Sequence, residues 1–151
     1  MTTYAKHYPI RWADLDPNGH MRHSAYNDYA AQLRLDYLTD AGFPLAQFAK
    51  LGIGPILFRE DTRFLKEISP NETIKVDAQL AGLSPDGSRW RIVHTVYKQD
   101  GRASATITVD GAWLDLRQRK LAVPPVELAT ALSQLTHHST YGEIERRPKA
   151  E

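Results

Sequence analysis

The strongest hydrophobic periodicity in the chain follows a sharp turn. Apolar residues recur at Tyr26, Tyr29, Ala30, Leu33, Tyr37 and Leu38, the i, i+3, i+4, i+7 spacing of an amphipathic helix with one buried face. Ser24 is the predicted N-cap, because its hydroxyl can accept from a free first-turn N–H, so the helix is expected from about residue 24. Ala41-Gly42-Phe43-Pro44 ends it with a C-cap glycine and a proline that cannot continue it. Elsewhere the period is two. Residues 4–13 alternate, with Tyr8, Ile10 and Trp12 on one face, and Pro9 predicts an unpaired edge. Residues 56–68 predict a long strand interrupted by Arg59, Glu60, Asp61 and Arg63, charges read as a solvated face or a subunit contact. Three clearer strands follow, marked by Ile74, Val76, Ala78 and Leu80, then by Trp90, Ile92, His94 and Val96, then by Ile107, Val109, Gly111 and Trp113. Pro85-Asp86-Gly87 and Gln99-Asp100-Gly101 supply the turns between them. Leu45 to Leu51 predicts a short helical turn before the breaker cluster Gly52-Ile53-Gly54-Pro55, and Val123-Pro124-Pro125 opens a last short helix.

One long helix followed by consecutive antiparallel strands predicts an α+β fold in which the sheet wraps the helix. A single helix covers only part of such a sheet, and long edge strands are rarely left open. A homodimer or homotetramer is therefore expected, with the active site between subunits. The domain is expected to span 1–135, including the short C-terminal helix, with a frayed polar tail over 136–151.

Composition narrows the function classes. With 151 residues, 42% hydrophobic and 25% charged, the chain can bury one ordinary core. A net charge of +1 lacks the basic excess of an electrostatic nucleic-acid or membrane binder. No apolar run is long enough to span a bilayer, and Met1 to Lys6 holds no signal-peptide core. The absence of Cys removes disulfides, thiol nucleophiles and zinc ribbons together, and a cytoplasmic location is expected.

The candidate chemistry sits where the helix begins. Its free first-turn N–H groups point back toward a turn that carries two carboxylates, Asp14 and Asp16, and such N–H groups can hold a carbonyl oxygen or an anion. Asp14 to Gly19 also matches the opening of a calcium loop, but the twelfth position is Ala25 rather than Glu, and Pro17 lies inside the loop. A transition-metal site at Asp16, His20 and His23 has no Cys to complete it, so no metal is expected.

Asp14-Leu15-Asp16-Pro17-Asn18-Gly19-His20-Met21, followed by Ser24-Ala25-Tyr26 and a Tyr/Leu-rich helix, resembles the signature of the hotdog-fold acyl-CoA thioesterases, the 4-hydroxybenzoyl-CoA thioesterase-like family. The match in element order covers roughly residues 4–117. The resemblance implies hydrolysis of an acyl-CoA, less readily of an acyl carrier protein ester, with no cofactor beyond the CoA of the substrate. It implies that Asp16 is the nucleophile or the general base, that Gly19 lets the turn pass close to the thioester, and that the His23 backbone N–H donates to the thioester carbonyl. Arg22-His23 stands where some members carry Tyr-His or Asn-Asn. His20 either protonates the leaving thiolate or holds the turn. Glu60 or Asp61 is a candidate second acid, because the corresponding strand of the resembling fold runs beside the partner subunit's helix, near the thioester. His94 lies in the apolar register and reads as a core or interface residue. Arg89, Arg91, Lys98, Arg102, Arg117, Arg119 and Lys120 lie at strand ends, where they are candidates for the CoA phosphates. Two other functions fit the same scaffold: a non-catalytic acyl-CoA binding module, and a hydratase or dehydratase pairing His20 with Asp16 or Glu60.

Overall fold

The computed structural model describes residues 3–145. Strand β1 (Tyr4–Pro9) leads through a single 3-10 turn (Trp12–Asp14) into the long helix α1 (His23–Asp40). Then come α2 (Leu45–Leu51), β2 (Ile53–Phe64), β3 (Thr73–Leu83), β4 (Arg89–Tyr97), β5 (Ala103–Asp115), β6 (Lys120–Leu121), α3 (Val126–Ser133) and β7 (His137–Glu143). The main sheet is antiparallel in the order β1-β3-β4-β5-β2, so β1 and β2 are its two ends. The sheet curls around α1 in the hotdog arrangement that the order of elements implies. Ala25, Tyr26, Ala30, Leu33 and Leu38 of α1 join one core with Ile74, Val76, Leu80, Ile107 and Val109 of the sheet. The apolar period of the sequence is the period of this contact. No helix among the described residues is long and apolar enough to cross a membrane.

Strand β1 is tied to α1 by its polar tips. Tyr4 donates to Asp40 at 2.7 Å and Tyr8 to Asp36 at 2.5 Å, while Lys6 pairs with Asp40 at 3.2 Å. Charges that look like a solvated helix face thus anchor the sheet edge.

Four local expectations change. The first strand stops at Pro9 rather than running to residue 13, and Trp12 swings out to 90% exposure. The reason is the 3-10 turn, in which Asp14 Oδ2 accepts the Arg11 backbone N–H at 2.9 Å. Helix α1 is capped by Arg22 and not by Ser24, whose hydroxyl instead accepts from the Arg22 guanidinium at 2.5 Å. The breaker cluster before β2 narrows to Gly52, a left-handed C-cap at φ +70°, and Ile53 already lies in the strand. The tail is not frayed where the chain is described. β7 runs parallel to β3 at Leu80–Leu83, with the Leu80 N–H donating to Thr136 at 2.9 Å and the Ile144 N–H to Leu83 at 3.2 Å. These bonds cover the part of β3 that β1 does not reach, and a Cβ on Gly82 would lie 2.8 Å from the Ile144 side chain. Such a strand is held through its backbone, so its exposed polar side chains give no amphipathic pattern to read. Residues 146–151 of the expected tail lie outside the described residues.

The turn before α1 is fixed by Asp14, which is fully buried. Its carboxylate pairs with Arg11 at 2.8 Å and with Arg22 at 3.7 Å, and it accepts a short hydrogen bond from Tyr29. Burial pushes the Asp14 carboxyl up, but the Arg11 and Tyr29 hydrogen bonds outweigh it and hold the group at about 2, against an ordinary 3.8. A carboxyl with a lowered folded pKa stabilises the fold above its unfolded value and loses that contribution as pH falls through the folded value. Asp14→Asn is expected to cost about 2 kcal/mol near neutral pH. The gap between wild type and variant should close as denaturation is measured from about pH 4 down to about pH 2. A gap that stays constant over that range would show that Asp14 acts through packing and not charge.

Candidate active site

The segment between the 3-10 turn and α1 is built from its own hydrogen bonds. Asp16 Oδ1 accepts the backbone N–H of Asn18 at 2.9 Å and of His20 at 3.2 Å. The Asp16 N–H donates to the His20 carbonyl at 2.8 Å, and the Gly19 N–H donates to the Asp16 carbonyl at 3.0 Å. Gly19 sits at φ +80°, a left-handed conformation that costs a side-chain-bearing residue strain. A Cβ there would meet nothing within 4 Å, so within this chain the glycine answers to backbone conformation and not to crowding. Asp16 Oδ2 has no protein partner among the described residues. One oxygen of the carboxylate shapes the turn and the other is available.

Asp16 lines an open cavity of about 390 Å³ together with His20, His23, Tyr26, Phe64 and Lys66. Three elements bring these side chains together: the turn, the first turn of α1 and the end of β2. Tyr26 and Phe64 meet edge to face at 5.1 Å and join the last two. At the helix start, the Met21 N–H goes to Ile68, the Arg22 N–H to the Asp14 carbonyl at 2.7 Å and the Ala25 N–H to Arg22. The His23 and Ser24 N–H groups make no such bond among the described residues, as expected of a helix start whose cap supplies no side-chain acceptor. The cavity thus combines a carboxylate oxygen with the free backbone donor of His23, at the positive end of the helix dipole.

Other candidates fall differently. His20 Nε2 lies 2.9 Å from Glu67, on the segment after β2; the His20 side chain is half-buried and Glu67 is exposed. Glu67 and Lys66 belong to this cavity but were not legible in the sequence, where they fall inside the strand expected over 56–68; β2 instead ends at Phe64. Glu60 is not in it. Glu60 pairs in register with Val109 on the inner face of β2, displaced along the sheet toward Arg34, while Asp61 on the outer face pairs with Arg59 and Arg63. His94 is fully buried, as its apolar register predicts. Among the strand-end cations, Arg91 is held by Asp110, Lys98 by Glu72 and Arg102 by Asp100, whereas Lys66 lines the Asp16 cavity. Among the described residues, no three His, Asp or Glu side chains converge in a way that could hold a metal ion.

A second, more enclosed space lies farther along α1. It measures about 260 Å³ and is walled by Leu38, Phe48, Trp90, Trp113 and Leu135, with Leu45 and Leu57 exposed at its mouth. The Phe48 and Trp113 rings stack at 5.7 Å, and Trp90 lies 6.1 Å from Trp113, so one wall is aromatic. The cavity shares no lining residue with the Asp16 cavity. Its single charged wall residue is Arg34.

Comparison with known proteins places this geometry. The chain superimposes on a hypothetical protein from Staphylococcus aureus characterised in complex with CoA, with a TM-score of 0.81 at 19% identity over 98% of this chain and 90% of that one. A 1,4-dihydroxy-2-naphthoyl-CoA thioesterase from Synechocystis gives 0.78 at 16% identity over 91% and 100%, respectively. A DHNA-CoA thioesterase from Staphylococcus aureus gives 0.80 at 21% over 89% and 91%. At these identities the likeness is one of fold. No curated protein matches the chain significantly in sequence. A family profile does: that of the thioesterase-like superfamily matches residues 10–132, from the end of β1 to α3. The chain therefore belongs to the thioesterase-like superfamily and is a hotdog-fold thioester hydrolase.

Proposed function

We propose that the protein hydrolyses an acyl-CoA to free acid and CoA at the Asp16 cavity, and that the site is completed by a second copy of the chain. The observation that carries this reading is the pairing of an unengaged Asp16 oxygen with the free N–H of His23 in one cavity. The thioester carbonyl oxygen accepts from the His23 N–H, which stabilises the negative charge that develops on it. Asp16 acts in one of two ways. Direct attack forms an acyl-aspartyl anhydride and releases the CoA thiolate, and water then cleaves the anhydride. Alternatively, Asp16 takes a proton from the attacking water, and the tetrahedral adduct expels the thiolate. Both routes consume one water and give the same products. The His20–Glu67 pair favours a positioning role for His20, tying the turn to the segment after β2. The same pair is the one feature that favours a hydratase or dehydratase.

The second copy is argued from β2. This twelve-residue strand ends the sheet, and Leu57, Phe58 and Phe64 along it and Leu65 just after it are all at least 39% exposed. A two-fold axis through β2 pairs the strand with itself and sets its Phe64 end against the Ile53 end of the partner. The Asp16 cavity of each chain then faces the Leu57 mouth of the partner's apolar chamber, which is suited to an acyl group.

Asp16→Asn preserves the oxygen that shapes the turn and removes the base. It is expected to lower thiol release from acyl-CoA by about 100-fold or more with Tm unchanged. Wild-type rates in a folded Asp16→Asn protein would overturn the assignment, and product formation without free CoA would point to the hydratase. In sedimentation equilibrium the protein should run at twice its 17.1 kDa chain mass or a multiple of it. Phe58→Glu should shift it toward monomer and lower turnover in parallel, whereas a fully active monomer would refute the shared site.

A further inference from the structure

Arg34 is the exception in an otherwise apolar chamber. It projects from the inner half of α1 into the wall shared with Trp90 and Leu57. Its guanidinium Nη1 lies 3.0 Å from His94 Nε2. His94 Nδ1 lies 2.8 Å from the Asp77 carbonyl, which can only accept, so Nδ1 carries the proton and Nε2 accepts from Arg34. Burial, and then the Arg34 charge, pushes the His94 imidazole down to about 3, so it is neutral. The partner of Arg34 is therefore an uncharged ring. That contact uses one of five guanidinium N–H groups, and no carboxylate is paired with Arg34 among the described residues. Glu60 attracts it only at longer range from an exposed position on β2. Burial disfavours a guanidinium charge, and an Arg held this way costs the fold free energy. Such a cost is expected of a group that waits for a ligand.

We propose that Arg34 recognises a carboxylate at the far end of the acyl group, so that the preferred substrates are thioesters of dicarboxylic acids. This rests on the thioesterase reading and names its substrate class. The chamber has the size for it: an engineered cavity of about 150 Å³ holds benzene, and this one, at about 260 Å³, holds a ring or a medium-length chain. A carboxylate matches the fork of the guanidinium and can be gripped by two N–H groups at once. His94 acts as a positioning residue that fixes the fork from behind. A dicarboxylic acyl group can carry its carboxylate on a chain or on a ring, and both present the same chemistry to Arg34.

The test compares matched thioesters: adipoyl-CoA with hexanoyl-CoA for the chain, and 4-carboxybenzoyl-CoA with benzoyl-CoA for the ring. In at least one pair, wild-type kcat/KM should favour the carboxylated member. Arg34→Met should lower that preference about 10- to 100-fold, the worth of a charged hydrogen bond. Arg34→Lys, which keeps the charge and loses the fork, should restore part of it. In Arg34→Met the relief of a charge that lacks a counter-ion and the loss of the hydrogen bond to buried His94 Nε2 oppose each other, so Tm should stay within a few degrees of wild type. Binding of the same four thioesters to Asp16→Asn and to the Asp16→Asn/Arg34→Met double variant, measured by calorimetry, separates this inference from the catalytic one. Preferential, Arg34-dependent binding of a carboxylated thioester without any hydrolysis by wild type would sustain the recognition and sink the thioesterase. Hydrolysis with no preference in either pair would sustain the thioesterase and overturn the recognition. A fall in Tm of Arg34→Met with equal losses on both members of a pair would overturn it too, because Arg34 would then be structural.

Discussion

Asp14 has no contact with solvent, and its two oxygens gather Arg11, Arg22 and Tyr29 around one point. That point joins the end of β1, the 3-10 turn and the second turn of α1. The Asp14 backbone carbonyl adds to it by accepting the Arg22 N–H, which sets where the helix begins. Because the cap is made by this network, no side chain folds over the first turn of α1, and the His23 and Ser24 N–H groups stay open. The placement of the site is thus a consequence of a buried charge two residues before Asp16. The two carboxylates of the motif divide the work: Asp14 holds the helix start and Asp16 meets the cavity.

The rest of the molecule serves the same geometry at longer range. The curled sheet buries one stripe of α1 and leaves the flank that carries Ala31, Arg34 and Leu35 against a chamber instead of a packed core. Strand β2 forms the outer wall and, as an end of the sheet with exposed Leu57, Phe58 and Phe64, is also the surface proposed for a second copy. The proposed dimer would link chain pairing to substrate binding, since the strand that would carry it also carries the chamber wall at Leu57 and the Phe64 wall of the Asp16 cavity.

Much of this was legible because it is local. The helix stripe from Tyr26 to Leu38, the alternation of the three central strands and the turn at Gly19 each follow from periods and backbone preferences within a few residues. The motif from Asp14 to Met21 carried the family. What could not be read depends on residues brought together from afar. Arg34 and His94 are sixty positions apart, and Arg34 alone looks like an ordinary helix-surface cation. Glu67 enters the Asp16 cavity only because β2 ends beside the turn, whereas Glu60, seven residues earlier on the same segment, does not. Strand β7 escaped notice because backbone bonds to β3, and not buried side chains, hold it. Asp14 and Asp16 have the same chemistry in the sequence, and only burial separates their tasks.

That separation is the central claim, and one side-by-side measurement tests it: Tm and thiol release from the best acyl-CoA substrate for Asp14→Asn and Asp16→Asn, each assayed well below its own melting temperature. The account predicts a crossed result. Asp14→Asn melts earlier yet turns over within several-fold of wild type while folded, and Asp16→Asn keeps its Tm and loses turnover. If Asp16→Asn remains active, or if the two variants lose stability and activity together, the division of labour between the carboxylates is wrong.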